Sequence, residues 1–364
     1  MFKKVLVVMF SVLLVAVLSC SKSSTEPEDP NSDIPPNPAN INVPATVFNN
    51  LIPSATFQKV SGNESRIKVN LLGLVDPSTG TPIELDANYG GTTYNTFLEE
   101  DSILQGLKLT KVSTGNVLKS DIVFTVDNSG SMSQESDSVA ARIIDFATFL
   151  TNSGLDAVFG CVGYYGEVTG AINLTDQTQL ASFLNRNTGT YRTKGFAGPD
   201  SALFDSLANI YAPGVSGENG VVAILFADSL FSWRAGSQRI FINFTDEPTQ
   251  PNYIEKWSTS NLCNELLGRA TVHTVFSRDS SYYSWTPLYR ERPWKMSECT
   301  GGTMKFIPSD ASGLDLTTLP VAGALANSYL LEYVTGNPNG THTVTITVKT
   351  ASVDGKIVYT DISY

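Results

Sequence analysis

Two hydrophobic patterns divide the chain. Near its beginning, apolar and polar residues alternate along Arg66–Leu72 and again along Gly106–Val112, with Pro82–Leu85 read as a short strand between them. The same alternation returns along Tyr329–Val334 and Thr341–Val348, on either side of an Asn337-Pro338-Asn339-Gly340 turn, and a last strand is read around Lys356–Tyr359. A period of two predicts half-buried strands of an antiparallel sheet or sandwich. Between these ends, from about 120 to 328, continuous apolar runs alternate with helical periodicity. Strands are predicted at Asp121–Val126, Leu155–Tyr164, Arg239–Phe244 and Thr271–Phe276, and helices near Glu135–Leu150, Gln177–Leu184, Thr259–Leu267 and Ala311–Ala326. Two further apolar segments are Asp200–Tyr211 and Val221–Phe231. Strands buried on both faces and alternating with helices imply βαβ units. The predicted fold class is therefore α/β: a doubly wound, mainly parallel sheet inserted between β-rich segments, 44–119 and 329–364. Because those segments flank the insert, they are placed to complete one sandwich.

The first residues follow neither pattern. Lys3 and Lys4 precede an unbroken apolar run from Val5 to Leu18, which fits a secretory signal (residues 1–19) rather than a membrane span. Its end, Val17-Leu18-Ser19-Cys20, resembles a bacterial lipoprotein cleavage box. That resemblance implies lipidation of Cys20 and a cell-envelope location, and Ser21 after the cysteine points to the outer membrane. Residues 20–43 are rich in proline and small polar side chains and are read as a disordered tether.

Composition narrows the chemistry. With 24 Lys+Arg against 35 Asp+Glu, the formal charge is −11, which argues against a nucleic-acid partner. Two histidines, His273 and His342, leave little for a histidine triad or a histidine-built zinc site, and both sit in strand patterns that suit structural roles. No phosphate-cradling G-x-x-x-x-G-K-[ST] occurs. Beyond Cys20 the cysteines are Cys161, Cys263 and Cys299. Two readings stand: a Cys263–Cys299 disulfide between neighbouring helical segments, or three buried thiols.

The chemistry gathers after the first strand of the α/β region, in Asp127-Asn128-Ser129-Gly130-Ser131. A strand-terminal carboxylate followed by two hydroxyls at alternate positions is a hard-oxygen donor set, suited to Mg²⁺, Mn²⁺ or Ca²⁺. In a doubly wound sheet it would stand in the crevice at the strands' carboxyl ends. This D-x-S-x-S resembles the metal-ion-dependent adhesion site of von Willebrand factor A domains. Two later landmarks are similar to the family's: Asp246 after the strand Arg239–Phe244, and Gly301-Gly302 after a late helix. The loop Gly195–Asp205 is similar to an integrin-β-like variant in which an acid after proline serves the metal. On that resemblance Asp200 takes the role, with Thr193 as substitute; the residue pattern alone equally makes Asp200 a helix cap. Glu135 resembles one acid of an adjacent second cation site, although Gln134 stands where such members carry another acid.

The resemblance implies a cation with one position open for a partner's carboxylate, hence protein binding with no bond chemistry. After Thr271–Phe276, a loop carries Tyr282, Tyr283, Trp285 and Tyr289, residue types that dominate binding hot spots. Tyr164, Tyr165 and Trp257 are candidates to extend that surface. The alternative to adhesion is constitutive docking inside an envelope, pilus or secretion complex. A metal-dependent hydrolase using Asp127, Asp200 and Asp246 is the weakest reading, because it lacks a general base other than a carboxylate.

Overall fold

The computed structural model describes residues 29–79, 81–111, 119–152, 155–186, 215, 217–317 and 327–364. Cys20, Thr193 and Asp200 therefore lie outside the described residues, as do the apolar segment Asp200–Tyr211 and most of the helix expected at Ala311–Ala326. The described part of the latter, residues 311–317, forms turns rather than helix.

A six-stranded sheet forms the centre of the α/β region. Its strands are β6 (Lys119–Asp127), β7 (Asp156–Tyr164), β8 (Val168–Thr175), β9 (Gln238–Thr245), β10 (Ala270–Phe276) and β11 (Met304–Phe306), in the order β11-β10-β9-β6-β7-β8. All neighbours are parallel except β7 and β8, which pair antiparallel. Helices cover both faces, so the central strands β6, β9 and β10 are almost wholly buried, which favours apolar residues along them. On β6, Ile122, Phe124 and Val126 enter one layer with α1 (Ser136–Asn152) and α2 (Gln177–Leu184). Val123 enters the other with α3 (Gly220–Leu230) and α4 (Thr259–Leu266). The short helix α5 (Lys295–Thr300) is joined to α4 by a Cys263–Cys299 disulfide, and Cys161 is buried as a free thiol.

The glycine pair at 301–302 has a steric reason. Gly301 ends α5 in the left-handed region (φ 77°), and its successor's N–H reaches Ser297 O at 2.9 Å. A Cβ on Gly302 would lie 1.8 Å from Val272 O, so the chain can pass β10 there only without a side chain.

The flanking segments meet in one core. One sheet runs β1 (Ala55–Val60), β2 (Asn63–Leu71), β12 (Tyr329–Val334), β5 (Lys108–Lys111); the other runs β14 (Asp354–Ile362), β13 (His342–Lys349), β3 (Thr96–Glu100), β4 (Ile103–Leu104). Each sheet mixes strands from before and after the α/β insert, and Ile67, Val69 and Leu331 of one share a core with Leu98, Val344 and Ile346 of the other. Pro82–Leu85 pairs only through an isolated antiparallel bridge of Pro82 with Val75, in which Ile83 N bonds Leu74 O; Ile83 and Leu85 are buried, and Leu85 N goes to the Tyr329 hydroxyl. The region read as tether is also partly ordered: Ile34 is buried, and Asn37 accepts from Gly106 N at 2.8 Å. Prolines fix φ in advance, so a Pro-rich stretch loses little entropy when it lies against a surface.

Candidate functional site

Asp127 ends β6 and Asp246 follows β9, the strand beside it. The chain leaves β6 towards β7 on one side and later returns to β9 on the other, so the two acids flank the sheet's topological switch point. The turn after β6 is built by the motif itself. The Asp127 carboxylate accepts from Ser129 N at 2.8 Å, which pulls the chain into an Asx-type turn and leads into a 3₁₀ turn over Gly130–Gln134. That turn sets the Ser129 and Ser131 hydroxyls 2.9 Å apart, and Ser131 Oγ donates to Asp246 Oδ1 at 2.8 Å. Ser129, Ser131 and Asp246 are thus linked through their side-chain oxygens, with Asp127 tied to Ser129 through its backbone N–H, across up to 119 positions.

The separations suit a hard cation. Around an octahedral ion with oxygens at about 2.1 Å, adjacent ligands stand about 2.9–3.0 Å apart. The Ser129–Ser131 and Ser131–Asp246 contacts match such edges at 2.9 and 2.8 Å. Among the described residues, no group of three or more His, Cys, Asp or Glu is placed to hold a metal ion.

The site is short of positive charge. Asp127 is fully buried, and burial lifts its pKa to about 8 despite bonds from Thr245 Oγ1 (2.8 Å) and Ser129 N, with the charges of Asp246 and Glu218 adding to the rise. Glu135, 1% exposed, is likewise lifted to about 8 by burial, against a hydrogen bond from Ser277 Oγ and with Asp246 adding to the rise. Burial also raises Glu218 and Glu247. Against these acids stands Arg278, whose Nη2 and Nε donate to Asp246 Oδ2 at 2.7 and 3.1 Å. Thr245 and Glu247 simply flank Asp246 in sequence, whereas Glu218, just ahead of α3, and Arg278, just after β10, reach the cluster through the fold.

The aromatic residues separate into two groups. Trp285 packs against Phe276 and Trp294, and Tyr283 is half-buried with its hydroxyl bonded to Glu247, so both hold the loop to its own domain. Tyr282 is 62% exposed and lies over the Arg278 guanidinium, 4.6 Å from its ring centroid. Tyr289 is exposed and stacks on Tyr253 at 5.5 Å, and Tyr165 is exposed as well. Tyr164 and Trp257 do not belong to this surface. Tyr164 is buried with its hydroxyl on Asn243 Oδ1 at 3.1 Å, and Trp257 packs in the layer of α3 and α4. Tyr253 was not visible as a candidate. It and Asn252 adopt left-handed backbone (φ 61° and 51°), an unfavourable conformation for a bulky residue, and present the ring outward.

No family model and no curated protein matches the chain. Among solved structures it is similar to the SpRpn10 VWA domain, at 11% identity and a TM-score of 0.32, covering 57% of this chain and 93% of that one. It is also similar to the pilus adhesin SpaC from Lactobacillus rhamnosus GG in its open conformation, at 12% identity and a TM-score of 0.33. That match covers 91% of this chain and 56% of the adhesin, so the chain spans little more than half the adhesin's length. The strand order, the antiparallel edge strand β8 and the helices on both faces make the central region a doubly wound, mainly parallel α/β fold.

Proposed function

We propose that the protein is a lipid-anchored component of the cell envelope that binds a protein partner through a divalent cation held by Asp127, Ser129, Ser131 and Asp246. The observation that carries this reading is the convergence of the Ser129 and Ser131 hydroxyls and the Asp246 carboxylate at the switch point, with separations of 2.9 and 2.8 Å, beside Asp127, whose carboxylate holds Ser129 N. Mg²⁺ is the first choice, with Mn²⁺ or Ca²⁺ as alternatives, and Asp200 or Thr193 completes the set. The cation supplies a positive centre for a carboxylate offered by the partner. The chain's own groups prepare that centre: Thr245 and Ser129 N–H fix Asp127, Arg278 balances the Asp246 charge, and Tyr282, Tyr289 and Tyr253 supply contact area around it. Glu135, tied to Ser277, serves a second cation in the same proposal. The anchor at Cys20 belongs to the same proposal; no described helix is long and apolar enough to cross a membrane.

Mn²⁺ tests the open position directly, because bound Mn²⁺ that keeps exchangeable water speeds water-proton relaxation. Adding the protein to Mn²⁺ should enhance relaxation, and excess glutarate should reduce the enhancement by displacing that water. Enhancement that glutarate leaves untouched would argue for a closed, purely structural ion, and no enhancement would remove the metal site altogether. The same titration reads the role of Arg278. Replacing it in Arg278→Gln removes a positive charge standing 2.7 Å from an Asp246 oxygen. That should tighten Mn²⁺ binding by about tenfold, or ~1.4 kcal/mol. Weaker binding would instead make Arg278 necessary for placing Asp246.

A further inference from the structure

The sandwich carries a polar cluster of its own, built on residues that the cation site does not use. His342, at the start of β13, is 3% exposed and stacks on the Tyr364 ring at 5.1 Å. Its Nδ1 lies 2.8 Å from Asp101 Oδ2, in the turn between β3 and β4. Its Nε2 lies 2.8 Å from Asn337 O, in the turn between β12 and β13. A backbone carbonyl has no proton to give. The Asp101 carboxyl is held below its ordinary range by Thr343 N and by the imidazole itself, with burial opposing, so it too is a pure acceptor. Two ring nitrogens facing two acceptors are both satisfied only when both carry protons, and the ring is therefore held as the imidazolium.

The surroundings act in the same direction. Glu100, 6% exposed, stands 3.8 Å from Nδ1 and accepts from Tyr333 Oη at 3.1 Å, Tyr364 Oη at 3.0 Å and Thr335 Oγ1 at 2.9 Å. Among the described residues, Glu100 and Asp101 are the charged groups facing the ring; β12 and the segment after β14 contribute the Tyr333 and Tyr364 phenols, which burial keeps protonated. Burial of the imidazole pulls its pKa down, but the bonds to Asp101 and Asn337 O and the charges of Glu100 and Asp101 outweigh it, and the net shift is upward.

Loss of the proton leaves one ring N–H for two acceptors. The carboxylate is the stronger of them, so the neutral ring keeps Asp101 and turns a lone pair on Asn337 O. That carbonyl also closes its own turn by accepting Gly340 N at 3.0 Å, and repulsion there loosens the turn.

We propose that His342 is a pH-operated latch: as the imidazolium it clips the Asn337–Gly340 turn to the β3–β4 turn, and on deprotonation it releases the Asn337–Gly340 turn. Because the folded-state pKa lies above the ordinary value of 6.5, the latch is fully closed below that pH and opens as the pH rises through the folded value.

Asp127 and Glu135, both lifted to about 8, titrate in an overlapping window, so the test is read locally and not from a melt. The full chain labelled with ¹⁵N has two histidines, and His273, buried with its pKa lowered to about 4, is the internal control. At pH 6.5 the NMR spectrum should show both His342 nitrogens protonated, with titration above that pH, and His273 neutral throughout. Corrected for intrinsic base catalysis, the Gly340 amide should exchange roughly two- to tenfold faster above the His342 pKa than below it. Thr343 N–H, bonded to Asp101, should keep its protection. Asp101→Asn should lower the His342 pKa by about a unit and move the release to the same lower pH. In His342→Gln the corrected Gly340 rate should be flat with pH; if that variant does not fold, Asp101→Asn carries the comparison alone. A His342 that titrates at or below 6.5 overturns the proposal, as does Gly340 exchange that ignores its titration or a release that stays at the same pH in Asp101→Asn.

Discussion

Mg²⁺ at about a hundred times its dissociation constant is expected to raise the melting temperature of the protein by roughly 5–10 °C above its value in EDTA, and Asp127→Ala is expected to erase that rise. A ligand that binds only the folded state adds about 2.7 kcal/mol at this concentration, and a domain of this size gains about 2–4 °C per kcal/mol. Asp127 is the residue to remove because it is buried at the switch point and its carboxylate organises the turn through Ser129 N. The variant should still fold. It deletes a carboxylate whose ionised form is disfavoured by burial, and the strand that carries it is held by parallel neighbours on both sides. A calorimetric scan in EDTA, Mg²⁺, Mn²⁺ and Ca²⁺ decides the matter. An equal shift in wild type and variant would place any bound cation elsewhere, and no shift in either would leave constitutive docking as the better reading.

The elements of the α/β region are legible because each depends on a local pattern. β6 and β9 are dominated by apolar residues since both faces are covered, and a pattern of that kind needs no knowledge of neighbours. The flanking strands are legible for the opposite reason, one face being wet. Where burial and pairing part company, the pattern misleads: Ile83 and Leu85 alternate and are buried, yet pairing stops at one bridge, Pro82 with Val75, and Leu85 N bonds the Tyr329 hydroxyl. Of the site, Asp127, Ser129, Ser131 and Asp246 could be found because a short motif and a strand end mark them. Arg278 and Glu218 could not, since they join the cluster through the order of strands in space. Direction is similarly hidden in single aromatics. Tyr164 and Tyr165 are adjacent in sequence, and the pleat sends one to Asn243 and the other to solvent.

The largest loss of stability is expected at the opposite end of β6. Asp121, with a side chain 0% exposed, receives Arg234 Nε at 2.6 Å, Arg234 N at 2.8 Å and Ser237 Oγ at 2.8 Å. The same guanidinium also holds Ser120 O at 3.1 Å and Asp156 O at 2.9 Å, tying the starts of β6 and β7 together. Arg234→Met keeps much of the side-chain volume but leaves a buried carboxylate without its counter-charge. Breaking a buried pair from one side costs about 3–5 kcal/mol, so the urea midpoint should fall sharply. Asp121→Asn combined with Arg234→Met should recover part of that loss, because the stranded charge causes most of it. A loss below about 1 kcal/mol would show that Ser237 and the Arg234 N–H suffice for Asp121. Six residues of strand, about 20 Å, separate Asp121 from Asp127. Arg234→Met should therefore lower the melting temperature while keeping the Mg²⁺-dependent rise, whereas Asp127→Ala should remove the rise with little change in the EDTA baseline. If both variants lost the rise, the cation site would depend on the anchoring of the whole strand, not on its carboxyl end alone.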